Sequence, residues 1–460
     1  MYIQQIYTGC LAQAAYYMES EGEAAIIDPL RDIQAYLDIA TARNAKIKYI
    51  FETHFHADFV SGHIDMAKKT GAKIIFGPTA NPGYEVIVAK DLQMFPLGNE
   101  NIQVLHTPGH TMESSCFLAL DKFGKQLAIF SGDTLFVGDV GRIDLAADEK
   151  ITNADMASLM FDSIAKLKQL PDDVIVYPGH GAGSACGKNI GKETFSTMAE
   201  QKKNNYALQY TDRKEFVDNM ISGIATPPKY FFMDAKINRT GYQDGIDSLL
   251  GQHSVGMSVE DFTKEKNAGI LVLDTRMPAE YAKEHIPGSL NIGLNGDFAV
   301  WVGTLLDNGP MILVCDEGKE IESVTRLARV GYESVKGYLK GGINAWVAAG
   351  QKIMGIHSIS AEVFAGNIEK EGQPLDVRRE GEVANGLVAG AISIPLAKLE
   401  EEYKTLDKNA HYYVYCAGGY RSMIANSILE NNGFTNLTNV EGGYGAIKKT
   451  NAKIEVPAMA

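Results

Sequence analysis

Short apolar runs recur through the first 180 positions, and each gives way to a cluster of polar residues and glycine. Residues 24–27 run into Asp28-Pro29, and 47–51 end at Glu52-Thr53. Residues 73–76 lead into a Pro/Gly loop over 77–83. Runs at 102–106, 127–130 and 174–177 are followed by Pro108-Gly109-His110-Thr111, Ser131-Gly132-Asp133-Thr134 and Pro178-Gly179-His180-Gly181. Runs of this length bounded by turn residues predict buried strands, while the spacing over 64–69 predicts a helix. Four of these strands, those at 47–51, 102–106, 127–130 and 174–177, deliver His or Asp at their carboxyl ends. A layered α/β scaffold assembles a site from distant sequence in that way.

Beyond about residue 250 the pattern changes and the chain repeats itself. The segment reaching Ile292 aligns with the one beginning at Leu375, pairing Gly288 with Gly390 and, further on, Cys315 with Cys416, about 100 residues apart. The glycine pair before Ile343 matches the pair before Tyr444. Two α/β modules of domain size therefore follow the first part of the chain. The stretch 225–229, with Pro227-Pro228, is expected to belong to the link leading toward them.

At 460 residues the chain is too long for one core, and several domains are expected. Asp and Glu outnumber Lys and Arg by 57 to 43, a net charge of −14. Such a surface repels nucleic acid and anionic membrane, so neither is expected as a partner. The first 20 residues have no basic start and no unbroken apolar core, and no later run approaches the roughly 20 apolar residues that span a bilayer. Five scattered cysteines, Cys10, Cys116, Cys186, Cys315 and Cys416, point to a reducing, cytoplasmic setting in which single thiols are free for chemistry.

His54-x-His56-x-Asp58 lets one turning loop aim several donors inward, with His110, Asp133 and His180 closing the site from other strands. The set resembles the metallo-β-lactamase fold, an αββα sandwich, over about residues 1–250. Hydrolytic members of that fold usually place a histidine after the motif aspartate to hold a second zinc; here the position is Phe59, with His63 four residues on as the one shifted alternative. The remaining set suggests two histidines and one carboxylate on a single ion, the facial arrangement of non-haem Fe(II) oxygenases. Resemblance to the persulfide dioxygenase branch implies one Fe(II) per chain on His54, His110 and Asp133, with His56 and His180 orienting ligands or substrate and Asp58 taking part in catalysis. Arg142 matches a family position near the thiol substrate; a local ion pair with Asp144 is the alternative reading. Cys186 reads either as a channel residue or as a packed thiol.

In the last module a strand at 412–415 leads to Cys416-Ala417-Gly418-Gly419-Tyr420-Arg421. A cysteine at a strand end, before a Gly-containing loop and a helix, can have its thiolate or persulfide held by backbone N–H groups, with Arg421 adding positive charge. The loop resembles that of rhodanese domains, which implies a sulfur relay at Cys416 with Gly418, Gly419 and Tyr420 lining the substrate. The middle module keeps Cys315 but has Glu320 at the arginine position, with Asp316 and Glu317 nearby, so carboxylates are expected to suppress its thiolate and leave a degenerate, structural module.

The whole pattern resembles persulfide dioxygenase/rhodanese fusion proteins, with domains expected at 1–250, 253–353 and 356–460. That resemblance implies oxidation of a glutathione, coenzyme A or related thiol persulfide by O2 to sulfite and thiol, sulfite/thiosulfate exchange at Cys416, and a homo-oligomer. Two other readings stand beside it: a zinc-dependent, glyoxalase II-like thioester hydrolase, and a non-enzymatic persulfide carrier or adaptor.

Overall fold

The computed structural model describes residues 1–145, 151–224, 226–368 and 372–457. By internal contacts the chain divides into two units, Met1–Leu249 with Leu327–Gly331, and Leu250–Arg326 with Tyr332–Ala460.

In the first unit, β1 (Tyr2–Thr8), β2 (Gln13–Ser20), β3 (Glu23–Ile27), β4 (Lys46–Glu52), β5 (Lys73–Phe76) and β6 (Ile87–Val88) form one sheet in that order. A second sheet holds β7 (Met94–Leu97), β8 (Glu100–His106), β9 (Ser115–Leu120), β10 (Gln126–Gly132), β11 (Ile175–Pro178) and β12 (Ser196–Thr197). Side chains on a strand alternate between faces, and the apolar runs use both. Ile27, Phe51 and Ile75 point between the sheets and meet Phe117 and Phe130 of the second one. Their neighbours Ile26, Ile50 and Ile74 point outward, packing with Tyr36 and Met66 of the helices Gln34–Ala42 and His63–Thr70. On the far side Leu118, Ile129 and Val176 pack against Met156, Met160 and Ile164 of the helix Asn153–Leu167. Continuous apolar runs thus produce an αββα sandwich.

The link expected at 225–229 is corrected. Ala225 lies outside the described residues; Thr226–Pro228 carry no regular structure, but the helix Tyr230–Thr240 that follows is still part of the first unit.

The second unit shows the sequence repeat as architecture. One parallel sheet runs Gly256–Met257, Val335–Leu339, Met311–Val314, Leu271–Asp274, Leu290–Asn291. Its counterpart runs His357–Ile359, Leu437–Val440, Tyr412–Tyr415, Gln373–Asp376, Ile392–Ser393, in the same order. Each repeat buries an equivalent ion pair, Arg276 with Asp274 and Arg378 with Asp376, both at 2.6 Å. Among the described residues no helix is long and apolar enough to cross a membrane.

Candidate metal centre and cysteine loop

β4 hands the chain to His54, His56 and Asp58, β8 to His110, β10 to Asp133 and β11 to His180. All six are buried, none more than 5% exposed. Ligand atoms of His54, His110 and Asp133 lie within 4.8 Å of one another, and those of His56, Asp58 and His180 form a second such trio. Asp133 and His180 also gather with Cys186, and Asp28 and Glu52 with His56.

Glycine permits this crowding. A Cβ on Gly179 would come 2.6 Å from Asp133 Oδ1, so the His180 strand end can pass the carboxylate only without a side chain.

The tautomers follow from the hydrogen bonds. Thr53 Oγ1 donates to Asp28 Oδ2 at 2.8 Å, so its lone pair faces His54 Nδ1 at 2.9 Å. Nδ1 therefore carries the proton and Nε2 is left with a lone pair. Burial, reinforced by His56, His110 and His180, holds His54 well below the usual histidine range and so neutral. His110 Nδ1 donates to the Arg142 carbonyl at 2.7 Å, which frees its Nε2 in the same way. At His56 burial favours the neutral ring, but the fields of Asp28, Glu52 and Asp58 outweigh it and raise the group to about 9.

Several of these atoms are buried without a hydrogen-bond partner: His110 Nε2, both Asp133 oxygens, Asp58 Oδ1 and both nitrogens of His180. Orphaned buried polar atoms are costly, and here they converge. His110 Nε2 stands 3.5 Å from Asp133 Oδ2, and His180 Nε2 stands 3.4 Å from both Asp58 Oδ2 and Asp133 Oδ1. Two ligands each about 2.1 Å from one ion, set about 90–110° apart, are separated by about 3.0–3.4 Å. The spacing and the donor set both fit a metal.

His63 takes no part in either trio. Its Nε2 hydrogen-bonds the Tyr84 hydroxyl at 2.7 Å, and its Nδ1 lies 3.3 Å from Glu52 Oε1, turned to that carboxylate rather than to either trio. Phe59 is fully buried and stacks on His56 with ring centroids 4.3 Å apart. Arg142 makes the local pair weighed above, with two contacts of 2.7 Å to Asp144, and also donates to the Ala185 carbonyl at 3.1 Å. Its backbone carbonyl steers His110, and it borders a cavity of about 380 Å³. Cys186 is buried, and its thiol is pushed well up by that burial and then by Asp58 and Asp133.

Three residues that support the centre escaped the sequence reading. Asp28 adopts φ of 50°, a left-handed conformation uncommon outside glycine, and so aims its carboxylate at both Thr53 and His56. Glu52 sits between His56 and His63. Asn238, on the helix Tyr230–Thr240, donates to the carbonyls of His56 and Phe59, both at 2.7 Å, and accepts from the Ser61 N–H. Asp28-Pro29 and Glu52-Thr53 are strand ends of the same kind as the others, whereas Asn238 carried no readable signal.

In the second unit Cys416 closes the strand Tyr412–Tyr415 and precedes the helix Tyr420–Asn431. The Gly419 N–H donates to its Sγ at 3.1 Å, and Gly419 takes φ of 103° to do so. Arg421 is bound in a two-point pair by Glu382 at 2.6 and 2.7 Å, so its charge is shared with a carboxylate rather than held for the thiol alone. Tyr420 donates its hydroxyl to the Gly293 carbonyl at 2.7 Å. Cys315 has its thiol pushed up to about 11, chiefly by burial; Asp274 and Glu320 add to the shift, while Ser323 and Thr275 oppose it. The expected suppression is present, but its first cause is desolvation rather than the loop carboxylates.

An αββα sandwich with clustered His and Asp side chains at its strand ends is followed along the chain by a repeated α/β module with a cysteine loop, and both parts match known families. The metallo-beta-lactamase superfamily profile matches residues 8–180, and the rhodanese-like domain profile matches 258–349 and 360–450. The structure of a metallo-beta-lactamase from Staphylococcus aureus subsp. aureus COL is 33% identical, covering 74% of this chain and 98% of that one with a TM-score of 0.65. ETHE1 from Myxococcus xanthus is 27% identical over 52% of this chain and 98% of its own, with a TM-score of 0.45. A hydroxyacylglutathione hydrolase from Polaromonas sp. (strain JS666 / ATCC BAA-500) is 33% identical over 186 residues, 39% of this chain and 66% of that enzyme's length. The chain belongs to the metallo-β-lactamase superfamily and carries two rhodanese-like domains.

Proposed function

We propose that the protein is an Fe(II) persulfide dioxygenase coupled to a sulfurtransferase, with domains over 1–250, 253–353 and 356–460. The observation that carries this reading is the trio His54, His110 and Asp133 beside a buried Phe59. Two imidazoles and one carboxylate converge, while the position after Asp58 offers no ligand to a second ion. Ferrous iron, when bound, supplies the O2 activation that redox-inactive zinc lacks.

The chain's own groups do the rest. Thr53 and the Arg142 carbonyl fix the two ligand rings. Asp58 and His180 hold and move a proton where water must enter to release sulfite. His56 adds positive charge beside them, and Arg142 borders the path for the thiol arm. The net change is persulfide, O2 and water giving thiol, sulfite and two protons. At the second site Gly418, Gly419 and Tyr420 line the substrate and the Gly419 N–H steadies Cys416 Sγ; once loaded as Cys–S–SH, Cys416 passes the outer sulfur to sulfite to form thiosulfate and is left as the thiol. A relative named for hydroxyacylglutathione supports a low-molecular-weight thiol carrier.

The second reading is the zinc hydrolase, favoured by the His56, Asp58 and His180 trio and by that same relative. Metal analysis of anaerobically purified protein separates the two. One iron per chain is expected; two zinc ions per chain would support the hydrolase.

A further inference from the structure

The helix Tyr420–Asn431 starts directly after the cysteine loop, so whatever fixes its first turn also fixes the direction of the Gly419 N–H that meets Cys416 Sγ at 3.1 Å. Within the second unit, one face of that helix lies against the middle repeat. Tyr420 donates its hydroxyl to the Gly293 carbonyl at 2.7 Å, Ser427 Oγ accepts from the Asn291 N–H at 3.2 Å, and Asn431 donates to the Ser289 carbonyl at 3.0 Å. Positions 420, 427 and 431 follow the helical repeat and share a face. Glu430 adds a contact of 2.7 Å to the buried His285.

Of these contacts, the one at Tyr420 has a shaped receptacle. Burial pushes the Tyr420 hydroxyl well up, and Asp297 adds to the shift, so the group stays a donor. Its acceptor is held in place from both sides. The Ile292 N–H donates to the Asp274 carbonyl and the Leu294 N–H to the Thr275 carbonyl, both at 3.0 Å, which pins the residues flanking Gly293 to the end of the strand Leu271–Asp274. Arg326 donates to the Leu294 carbonyl at 2.6 Å. The tyrosine ring fits because Gly296 has no side chain: at its φ of 124°, a Cβ would stand 3.0 Å from the ring. Carbonyl and slot both belong to the repeat whose own cysteine is desolvated.

We propose that Tyr420 is a positioning residue for sulfur transfer, an inference that rests on the sulfur-relay reading of Cys416. Held by Gly293 and admitted by Gly296, it fixes the first turn of the helix, and with it the Gly419 N–H, against the sulfur that bears negative charge during transfer. Arg421 ties the same turn to Glu382 within the last repeat, so the loop is held from two sides. The middle repeat thus serves its neighbour's chemistry without performing its own. With thiosulfate as donor, the Cys416 thiolate attacks the outer sulfur, the S–S bond breaks, and sulfite leaves with its electron pair. Cyanide then takes the outer sulfur of the cysteine persulfide as thiocyanate, and the thiolate returns. No external oxidant or reductant is consumed.

The test is steady-state sulfur transfer from thiosulfate to cyanide by the full-length protein. Tyr420→Phe keeps the ring and deletes the anchor. Its kcat is expected to fall about tenfold or more, because small misplacements of a reacting group are costly, while KM for thiosulfate stays within about twofold. Gly296→Ala, which crowds the ring, is expected to lower kcat in the same way, and the double variant to be no slower than the slower single, since both act through one contact. Ser427→Ala, which loosens the same docked face away from the loop, is expected to keep kcat within about twofold of wild type. Unchanged kcat in Tyr420→Phe, a rise in KM alone, additive losses in the double variant, or an equal loss in Ser427→Ala would overturn the proposal. No turnover by the wild type, with Cys416 found unloaded by mass spectrometry, would instead overturn the sulfur-relay reading, and the proposal would fall with it.

Discussion

Thr53 shows how a residue outside the proposed ligand set can govern the candidate metal centre. Its hydroxyl proton is drawn by Asp28, so it can only accept from His54, and the ligand ring is thereby locked in one tautomer. Thr53→Val keeps the shape and removes the relay. Such orienting partners are worth about 10–100-fold in metal affinity, so chelator competition is expected to strip the variant within that range of wild type. A second prediction concerns Cys315. With its thiol raised to about 11, only about one molecule in a thousand is thiolate at pH 8. Because the thiolate is the nucleophile, alkylation of Cys315 by iodoacetamide is expected to quicken about tenfold per pH unit between 8 and 10. A pH-independent rate would contradict the assigned environment. The six metal-site candidates were readable because each His or Asp sits in the polar and glycine cluster that follows an apolar run. Glu382 was not readable as the partner of Arg421: it lies 39 positions away, and nothing local in either segment signals the pairing.

Among elements, the strands that carry the site were the most legible, since β3, β4, β5, β8, β10 and β11 each contain buried apolar residues and end at turn residues. The two-residue strands β6 and β12 leave no pattern to read. The helix Tyr230–Thr240 was missed for a different reason. Pro227-Pro228 signals a break in regular structure, but a break need not mark the end of a domain. Asn238 on that helix clamps the loop carrying His56 and Phe59, which makes the helix part of the centre's support. Asn238→Ala strands two buried carbonyls and the Ser61 N–H, a loss of about 1–3 kcal/mol in that loop. Faster hydrogen exchange around Ser61, with the β10 and β11 amides unchanged, is the expected outcome. The equal repeats of the second unit were legible from aligned Gly and Cys positions, and the buried Asp–Arg pairs show what the aligned segments build.

For the molecule as a whole, the two chemistries fit together if they share a sulfur species. In the proposed reaction, sulfite made at the metal centre is the acceptor that unloads a Cys416 persulfide. Cys416→Ser is therefore expected to leave O2 uptake unchanged while the product shifts from thiosulfate to sulfite, resolved by chromatography of the oxyanions. Equal loss of both products would show that the cysteine loop is needed for oxygen chemistry. The central claim is the oxidation itself, and oxygen-electrode measurement on iron-loaded protein given a low-molecular-weight persulfide tests it most directly. The account predicts one O2 consumed for each sulfur oxidised, with uptake abolished in Asp133→Ala. No O2 uptake by the iron-loaded protein, together with hydrolysis of a glutathione thioester by the zinc-loaded form, would contradict it.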